Sequence, residues 1–261
     1  MGLFFPDDEK RFTGVRAVGF ARYKELLEKN FKEFFLVGFL ALTFLIPYGL
    51  GMVYAILSKS ILVALAAGVV GGAIAGPGIA CMYDILLRRL RDNKDDWWAC
   101  YKKSMAQNWK ASLLPGAVTC VFLGLLIFSG ALLWWAGPAI SWGTLGLLLL
   151  SAVVYLAVAS LWWPQVVLFD QRTAVRLKNA VGFLLFHLVR CLGVAVLQAA
   201  WWLITFLLLP WSAFLVPFLN VWYILFLAMF FLYRPMDEAF RIEEQINERF
   251  PGQIQIGEDE E

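Results

Sequence analysis

Residues 61–96 read ILVALAAGVVGGAIAGPGIACMYDILLRRLRDNKDD, and this stretch decides the fold. Residues 61–87 carry no charge except Asp84. Because a helix rises about 1.5 Å per residue, about 20 such residues cross a bilayer. Three glycines lie four residues apart on one helix face, where a second helix can approach closely: Gly68, Gly72 and Gly76. The arginines of residues 88–91 predict that this end of the helix faces the cytoplasm.

Composition places the chain among membrane proteins. Hydrophobic residues make up 61% and charged residues only 16% of the chain, and the mean hydropathy is +0.70. Soluble domains carry about 25% charged residues. The cysteines lack the CxxC spacing of metal or redox sites and are predicted to be free thiols: Cys81, Cys100, Cys120 and Cys191. Residues 1–33 contain no apolar core of a cleavable signal peptide.

The apolar segments predict an all-α fold with six transmembrane helices. The predicted spans are residues 34–57, 61–87, 111–136, 143–163, 181–209 and 212–233. Residues 1–33 are predicted to form a cytoplasmic lead with an amphipathic helix that lies at the membrane interface. Residues 234–261 are predicted to be a cytoplasmic tail that contains a short amphipathic helix and ends in acidic residues.

The basic residues determine the predicted orientation. Of the 22 Lys and Arg residues, 20 lie in four segments on one side of the predicted spans, residues 1–33, 88–110, 170–180 and 234–261. Lys59 lies in an outer turn, and Arg190 lies inside a predicted span. The positive-inside rule therefore predicts that both termini are cytoplasmic.

A short motif recurs along the chain. Residues 23–32 (YKELLEKNFK) are similar to residues 101–110 (YKKSMAQNWK) and, more distantly, to residues 172–180 (RTAVRLKNA). The asparagines of the three copies are spaced by 78 and 71 residues. Each copy would begin an interfacial helix followed by two antiparallel spans, so the six spans would form three parallel two-helix repeats.

Two charges lie within the predicted spans. Asp84 either binds a cation, relays a proton or pairs with Arg190 across helices, or it pairs with Arg88 near the cytoplasmic surface. Arg190 lies about 14 Å into the fifth predicted span, near the bilayer midplane, and would then face the bundle interior. The competing interpretation places residues 173–189 along the interface and the span at residues 191–209, so that Arg190 reaches the headgroups.

Two further polar residues lie close to Arg190 in the sequence. His187, one turn earlier, is either a ligand or base or, as is usual for a lone histidine, a hydrogen-bonded helix residue. Gln198, two turns later, either extends a polar stripe or bonds one helix to another. Asp84, His187, Arg190 and Gln198 together are the candidate intramembrane polar site.

The glycine face and the loop aromatics each allow two interpretations. The glycines are predicted to pack helices, within one chain or in a homo-oligomer, whereas a break at residues 76–78 (GPG) would expose backbone groups to a ligand. Four aromatic residues form either an interfacial surface or a docking surface for a partner: Trp97, Trp98, Tyr101 and Trp109.

Enzyme motifs are absent from the sequence. It contains no GxxxxGK[ST] loop, no HExxH, no GxSxG and no Cys/His ligand cluster. We therefore predict that the protein is not an enzyme and uses neither a metal nor another cofactor. The basic segments lie where a membrane surface is expected, so the sequence does not call for a nucleic-acid partner.

The chain resembles the YesL-like integral membrane proteins of bacteria, a family of unknown function. The resemblance rests on residues 23–31, on residues 76–89 (GPGIACMYDILLRR) and on residues 101–110, and it covers most of residues 15–233. Members of the family are similar in size, have several spans and are often encoded beside carbohydrate ABC importers. The resemblance implies a bacterial cell-membrane location and a role in glycan uptake. It supplies no catalytic residues.

Two functions are therefore expected. The first is a non-enzymatic accessory or scaffold subunit that binds the permease and ATPase subunits of a carbohydrate ABC importer. The alternative is a stand-alone permease for a small solute, with a polar path around Arg190.

Overall fold

A computed structural model describes residues 17–136, 141–208, 211–214, 219 and 221–249 of the 261-residue chain. These residues contain eight α-helices and a short 3-10 turn (Trp211–Phe214), and no strand: α1 (Gly19–Ser58), α2 (Ile61–Leu90), α3 (Trp97–Ala136), α4 (Trp142–Leu168), α5 (Thr173–Phe186), α6 (Leu188–Leu207), α7 (Val221–Phe240) and α8 (Ile242–Arg249). Five of them, α1 to α4 and α6, are long and apolar enough to cross a membrane. The all-α architecture with several membrane-length helices is confirmed, whereas six spans and cytoplasmic termini stay predictions.

The helices α1 and α3 are the longest elements, at 40 residues each. Such a helix is about 60 Å long, twice the thickness of the hydrocarbon core. The first two predicted interfacial helices are therefore continuous with the spans that follow them. Residues 20–37 and 97–114 contain no glycine or proline, so nothing interrupts the helix there.

The first helices of the two predicted repeats correspond in detail. Asn30 and Asn108 are each the twelfth residue of their helix, and each amide donates a hydrogen bond to the residue four positions earlier, Leu26 or Ser104. The third unit differs because two helices, α5 and α6, replace one long helix. The threefold repeat stays a prediction.

Helix α2 lies between α1 and α3 and also contacts α4 and α7. A Cβ atom added at Gly72 would lie 2.5 Å from the carbonyl oxygen of Gly116, and Gly68 and Gly76 are similarly close to the α3 backbone. Helix α3 presents small residues at the same four-residue interval: Ser112, Gly116 and Cys120. The glycine face therefore packs two helices of one chain, at backbone contact distance.

The opposite side of α2 packs equally closely against α1. A Cβ atom added at Gly71 would lie 2.6 Å from the Cα atom of Tyr48, and one added at Gly78 would lie 2.8 Å from the Cβ atom of Phe44. Helix α2 continues through Pro77, and residues 76–78 are buried. The GPG sequence therefore lies inside a packed helix, with neighbours on both sides.

The structure differs from the sequence-based boundaries in the second half of the chain. The predicted span at residues 181–209 is divided at His187, whose backbone (φ −120°, ψ 37°) ends α5 and begins α6. The reason is tertiary, since the inner face of α5 packs on α4 and fixes its direction. The predicted span at residues 212–233 corresponds to α7, which continues to Phe240. Residues 1–16 of the predicted cytoplasmic lead, residues 137–140 between the third and fourth predicted spans, and the acidic end at 258–261 lie outside the described residues.

The packing of α2 on α3 predicts the effect of a single added methyl group. We expect Gly72→Ala to lower the free energy of unfolding by about 1–3 kcal/mol, because the Cβ atom meets backbone that cannot move aside. Gly146→Ala is the matched control, since no atom lies within 4 Å of a Cβ atom there. Denaturation of both variants in mixed micelles, followed by circular dichroism, measures the difference. Equal stability of the two variants would contradict the close packing.

Candidate functional site

A cluster of buried charges lies at the end of α2, and we call it the ionic cluster: Arg22, Glu33, Asp84, Arg88, Arg89 and Asp92. Asp84 is 1% exposed and Arg88 is 2% exposed. The Arg88 Nε atom donates a hydrogen bond of 2.9 Å to Oδ2 of Asp84. Asp84 thus pairs with the arginine one turn later, as one of the two sequence-based interpretations proposes. Removing either member would leave an uncompensated buried charge.

Two further ion pairs tie α1 to the end of α2. The Arg89 Nε atom donates to Oε2 of Glu33 at 2.5 Å, and the Arg22 Nη2 atom donates to Oδ1 of Asp92 at 2.5 Å. Arg22 also donates to the Leu90 carbonyl oxygen at 3.3 Å, one of the carbonyls that the end of a helix leaves without an intrahelical partner. Asp92 has a left-handed backbone (φ 60°), which its side-chain contact with Arg22 holds in place.

The tail helix α8 packs on α7. The Tyr233 hydroxyl donates a hydrogen bond of 2.8 Å to Oε1 of Glu243, and Arg91, itself 1% exposed, acts electrostatically on the same hydroxyl. Ile242 and Ile246 of α8 are buried. Helix α2 therefore packs against α7, and α7 is joined to α8 by this hydrogen bond.

If Ile61 lies at one face of the hydrocarbon core, the ionic cluster lies just beyond the other face. Asp84 lies about 35 Å along the helix from Ile61, which exceeds a hydrocarbon core of about 30 Å. Asp84 and Arg88 can be recognised in the sequence, whereas the ion-pair partners in α1 were not predicted. A signal was present, because Arg88, Arg89 and Arg91 point in different directions around one helix and cannot all face solvent.

The four candidate intramembrane polar residues engage separate neighbours. Asp84 belongs to the ionic cluster, whereas the buried Gln198 donates from Nε2 to Oγ of Ser160 at 2.7 Å and joins α6 to α4. The half-buried His187 packs its ring 4.5 Å from the Phe183 ring. Arg190 is exposed on the outside of the bundle, as the third residue of α6. Helix α6 has 20 residues and is about 30 Å long, which equals the thickness of the hydrocarbon core. If α6 spans the core, Arg190 lies near one interface, as in the interpretation in which its side chain reaches the headgroups.

The four candidate docking aromatics differ in exposure. Trp98 is 44% exposed, and its ring stacks on the buried Tyr101 at 5.5 Å with the planes 10° apart. The half-buried Trp97 contacts the Trp98 ring at 5.4 Å. Trp109 is 47% exposed, and the Lys110 Nζ atom lies 5.3 Å from its ring centre.

The four aromatics also lie at two different depths. Trp109 comes two residues before the predicted third span, where tryptophan and lysine side chains commonly meet the headgroups. Trp98 comes 13 residues before that span, about 20 Å along α3. The headgroup layer extends only about 5–8 Å beyond the hydrocarbon. If the third span begins at residue 111, as predicted, the stacked group of Trp97, Trp98 and Tyr101 lies beyond the headgroups on α3.

The described residues contain no group of three or more His, Cys, Asp or Glu side chains that is arranged to hold a metal ion. All four cysteines are buried and free. Comparisons with protein-family models, with curated proteins and with solved structures found no match to the chain.

The buried pair of Asp84 and Arg88 leads to a stability prediction. We expect Asp84→Asn to lower the free energy of unfolding by about 3–5 kcal/mol, because it leaves the buried guanidinium without its carboxylate. The double variant Asp84→Leu/Arg88→Met should recover most of that loss, since it removes both charges. Glu238→Gln disrupts the exposed ion pair with Arg234 and should lower the free energy of unfolding by less than about 1 kcal/mol. Denaturation in mixed micelles compares all three. A double variant no more stable than Asp84→Asn would contradict the pairing.

Proposed function

We propose that the protein is a non-enzymatic membrane subunit that binds a carbohydrate ABC importer through the beginning of α3. Its spans anchor it in the bilayer, and its binding surface is the stacked group of Trp97, Trp98 and Tyr101. The exposed Trp98 supports the mode of binding, and the family resemblance supports the identity of the partner.

The exposed indole of Trp98 carries the first part. Tryptophan is enriched among the residues that dominate protein–protein binding energy, and such residues bind most tightly when they are held rigid. Trp98 is held by its stack on the buried Tyr101, and Lys102 is exposed one turn later. Because Trp98 lies beyond the headgroups along α3, a protein is a better partner for it than lipid.

The resemblance to the YesL-like family supports the second part. The similar residues 23–31, 76–89 and 101–110 suggest the association with carbohydrate importers that is typical of that family. The partner subunits would be the permease and the ATPase, since the chain itself has no nucleotide-binding loop.

The stand-alone permease has weaker support. That alternative needs a polar path, and the four residues suggested for it engage separate neighbours. Gln198 is bonded to Ser160, Asp84 to Arg88, and Arg190 is exposed on the outside of the bundle. None of these contacts indicates a route for a solute through the helices.

Co-purification tests the proposal. The tagged protein, extracted from its native membrane in mild detergent, should retain the permease and ATPase subunits of a carbohydrate importer in fixed proportion. Trp98→Ala should weaken their binding about 30-fold, because a central tryptophan contributes about 2 kcal/mol or more. Quantitative mass spectrometry of the bound proteins measures both results.

Trp142→Ala is the matched control for this experiment. Trp142 is 86% exposed and lies at the beginning of α4, at the end of the bundle away from the ionic cluster. The substitution Trp142→Ala should therefore leave partner binding unchanged. Two results would count against the proposal. The first is that the tagged protein purifies without importer subunits, and the second is that Trp98→Ala and Trp142→Ala weaken partner binding equally. Transport of a defined solute by the purified protein alone in liposomes would favour the permease.

A further inference from the structure

The corner between α5 and α6 presents large apolar side chains and a cation on the outside of the bundle. The chain changes direction at His187, and the residues beside this break are almost fully exposed, Phe186 at 89% and Val189 at 88%. Arg190 follows, and it is exposed as well. At the beginning of a helix of membrane length, side chains of this kind contact acyl chains and headgroups.

Helix α5 is amphipathic and its outer face continues this surface. Lys178, Val181 and Leu185 are exposed and share one face, because they are spaced by three and four residues. The opposite face is buried: Arg176, Ala180 and Phe183. Arg176 fixes α5 on α4 by donating from Nη2 to the Phe169 carbonyl oxygen at 2.9 Å. Helix α5 thus has the form of a helix that lies in the membrane interface.

The charged residues of this region are all basic. Residues 171–208 contain four basic residues and no Asp or Glu, and three of the four are exposed: Arg172, Lys178 and Arg190. The nearest acid in the sequence, Asp170, acts on the buried Arg176, where it opposes the lowering of the arginine pKa by burial. Three exposed cations elsewhere do pair with an acid one turn away, in Lys24–Glu28, Lys29–Glu25 and Arg234–Glu238.

We propose that the α5–α6 corner binds the headgroup of an anionic phospholipid. Lys178 and Arg190 attract the headgroup phosphate, while Phe186 and Val189 insert among the acyl chains. Basic residues near a membrane surface each contribute about 1 kcal/mol of attraction to anionic lipid. The site is separate from the proposed docking surface on α3, so it stands whether or not an importer binds there.

Lipid retention by the full-length protein tests this site. The protein is extracted from vesicles of equal phosphatidylglycerol and phosphatidylcholine, and native mass spectrometry measures the ratio of the two lipids that stay bound. The wild type should retain phosphatidylglycerol preferentially. Lys178→Gln and Arg190→Gln should each lower that ratio about fivefold, and high salt should lower it in the wild type.

Two variants control the experiment. Arg190→Lys keeps the charge and should keep the preference, whereas Arg234→Gln removes an exposed arginine that is paired with Glu238 and should not change it. Circular dichroism confirms that each variant is folded. The proposal is overturned if Lys178→Gln and Arg190→Gln retain the wild-type ratio, or if Arg234→Gln lowers it as much as they do.

Discussion

Pairing of buried charge is the constraint on which one end of the helix bundle depends, the end that contains the ionic cluster. Arg22, Arg88 and Arg89 are almost completely buried, and each meets a carboxylate from the same end of the bundle. Arg89 additionally donates from Nη2 to the Asp95 carbonyl oxygen at 2.7 Å, just before α3 begins. The ion pairs therefore fix the helix ends and also the loop from which α3 and its tryptophans project. A rigid surface of this kind loses little conformational entropy on binding a partner.

Within the bilayer a different interaction holds the same helices. Lipid tails are as apolar as leucine side chains, so burying apolar surface between helices contributes little to the free energy of helix association. Close packing of the helix backbones contributes instead. Helix α2 achieves this on both sides, through Gly72 against Gly116 and through Gly71 against Tyr48. One helix is thus held by dispersion contacts along its apolar part and by charge pairing at its end.

Local features of the structure could be predicted from the sequence, whereas long-range ones could not. The spacing of Asp84 and Arg88 and the interval of Gly68, Gly72 and Gly76 are visible within one helix. The different directions of Arg88, Arg89 and Arg91 around α2 indicate that these arginines cannot all face solvent, but they do not indicate that Glu33, 56 positions away, is the partner of Arg89. The sequence left two alternatives for residues 173–209, one continuous span from residue 181 or an interfacial segment followed by a span from residue 191. The apolar run continues through His187, so only the structure shows that the helix is divided there. Helical periodicity likewise put Trp98 and Trp109 in one group of aromatic residues. The structure shows that they belong to one continuous helix, α3, and therefore lie at different positions along its axis.

The continuity of α1 and α3 gives the molecule a mechanical property. Each is a single helical rod about 60 Å long, about twice the thickness of the hydrocarbon core. Lys59, at the far end of α1, lies 5.0 Å from the ring centre of Trp135 at the far end of α3, so the two rods are also coupled there. A tilt of about 5° would displace the far end of such a rod by about 5 Å. A partner that pushes on α3 from the side of Trp98 would therefore move the opposite surface of the membrane protein, as a lever does.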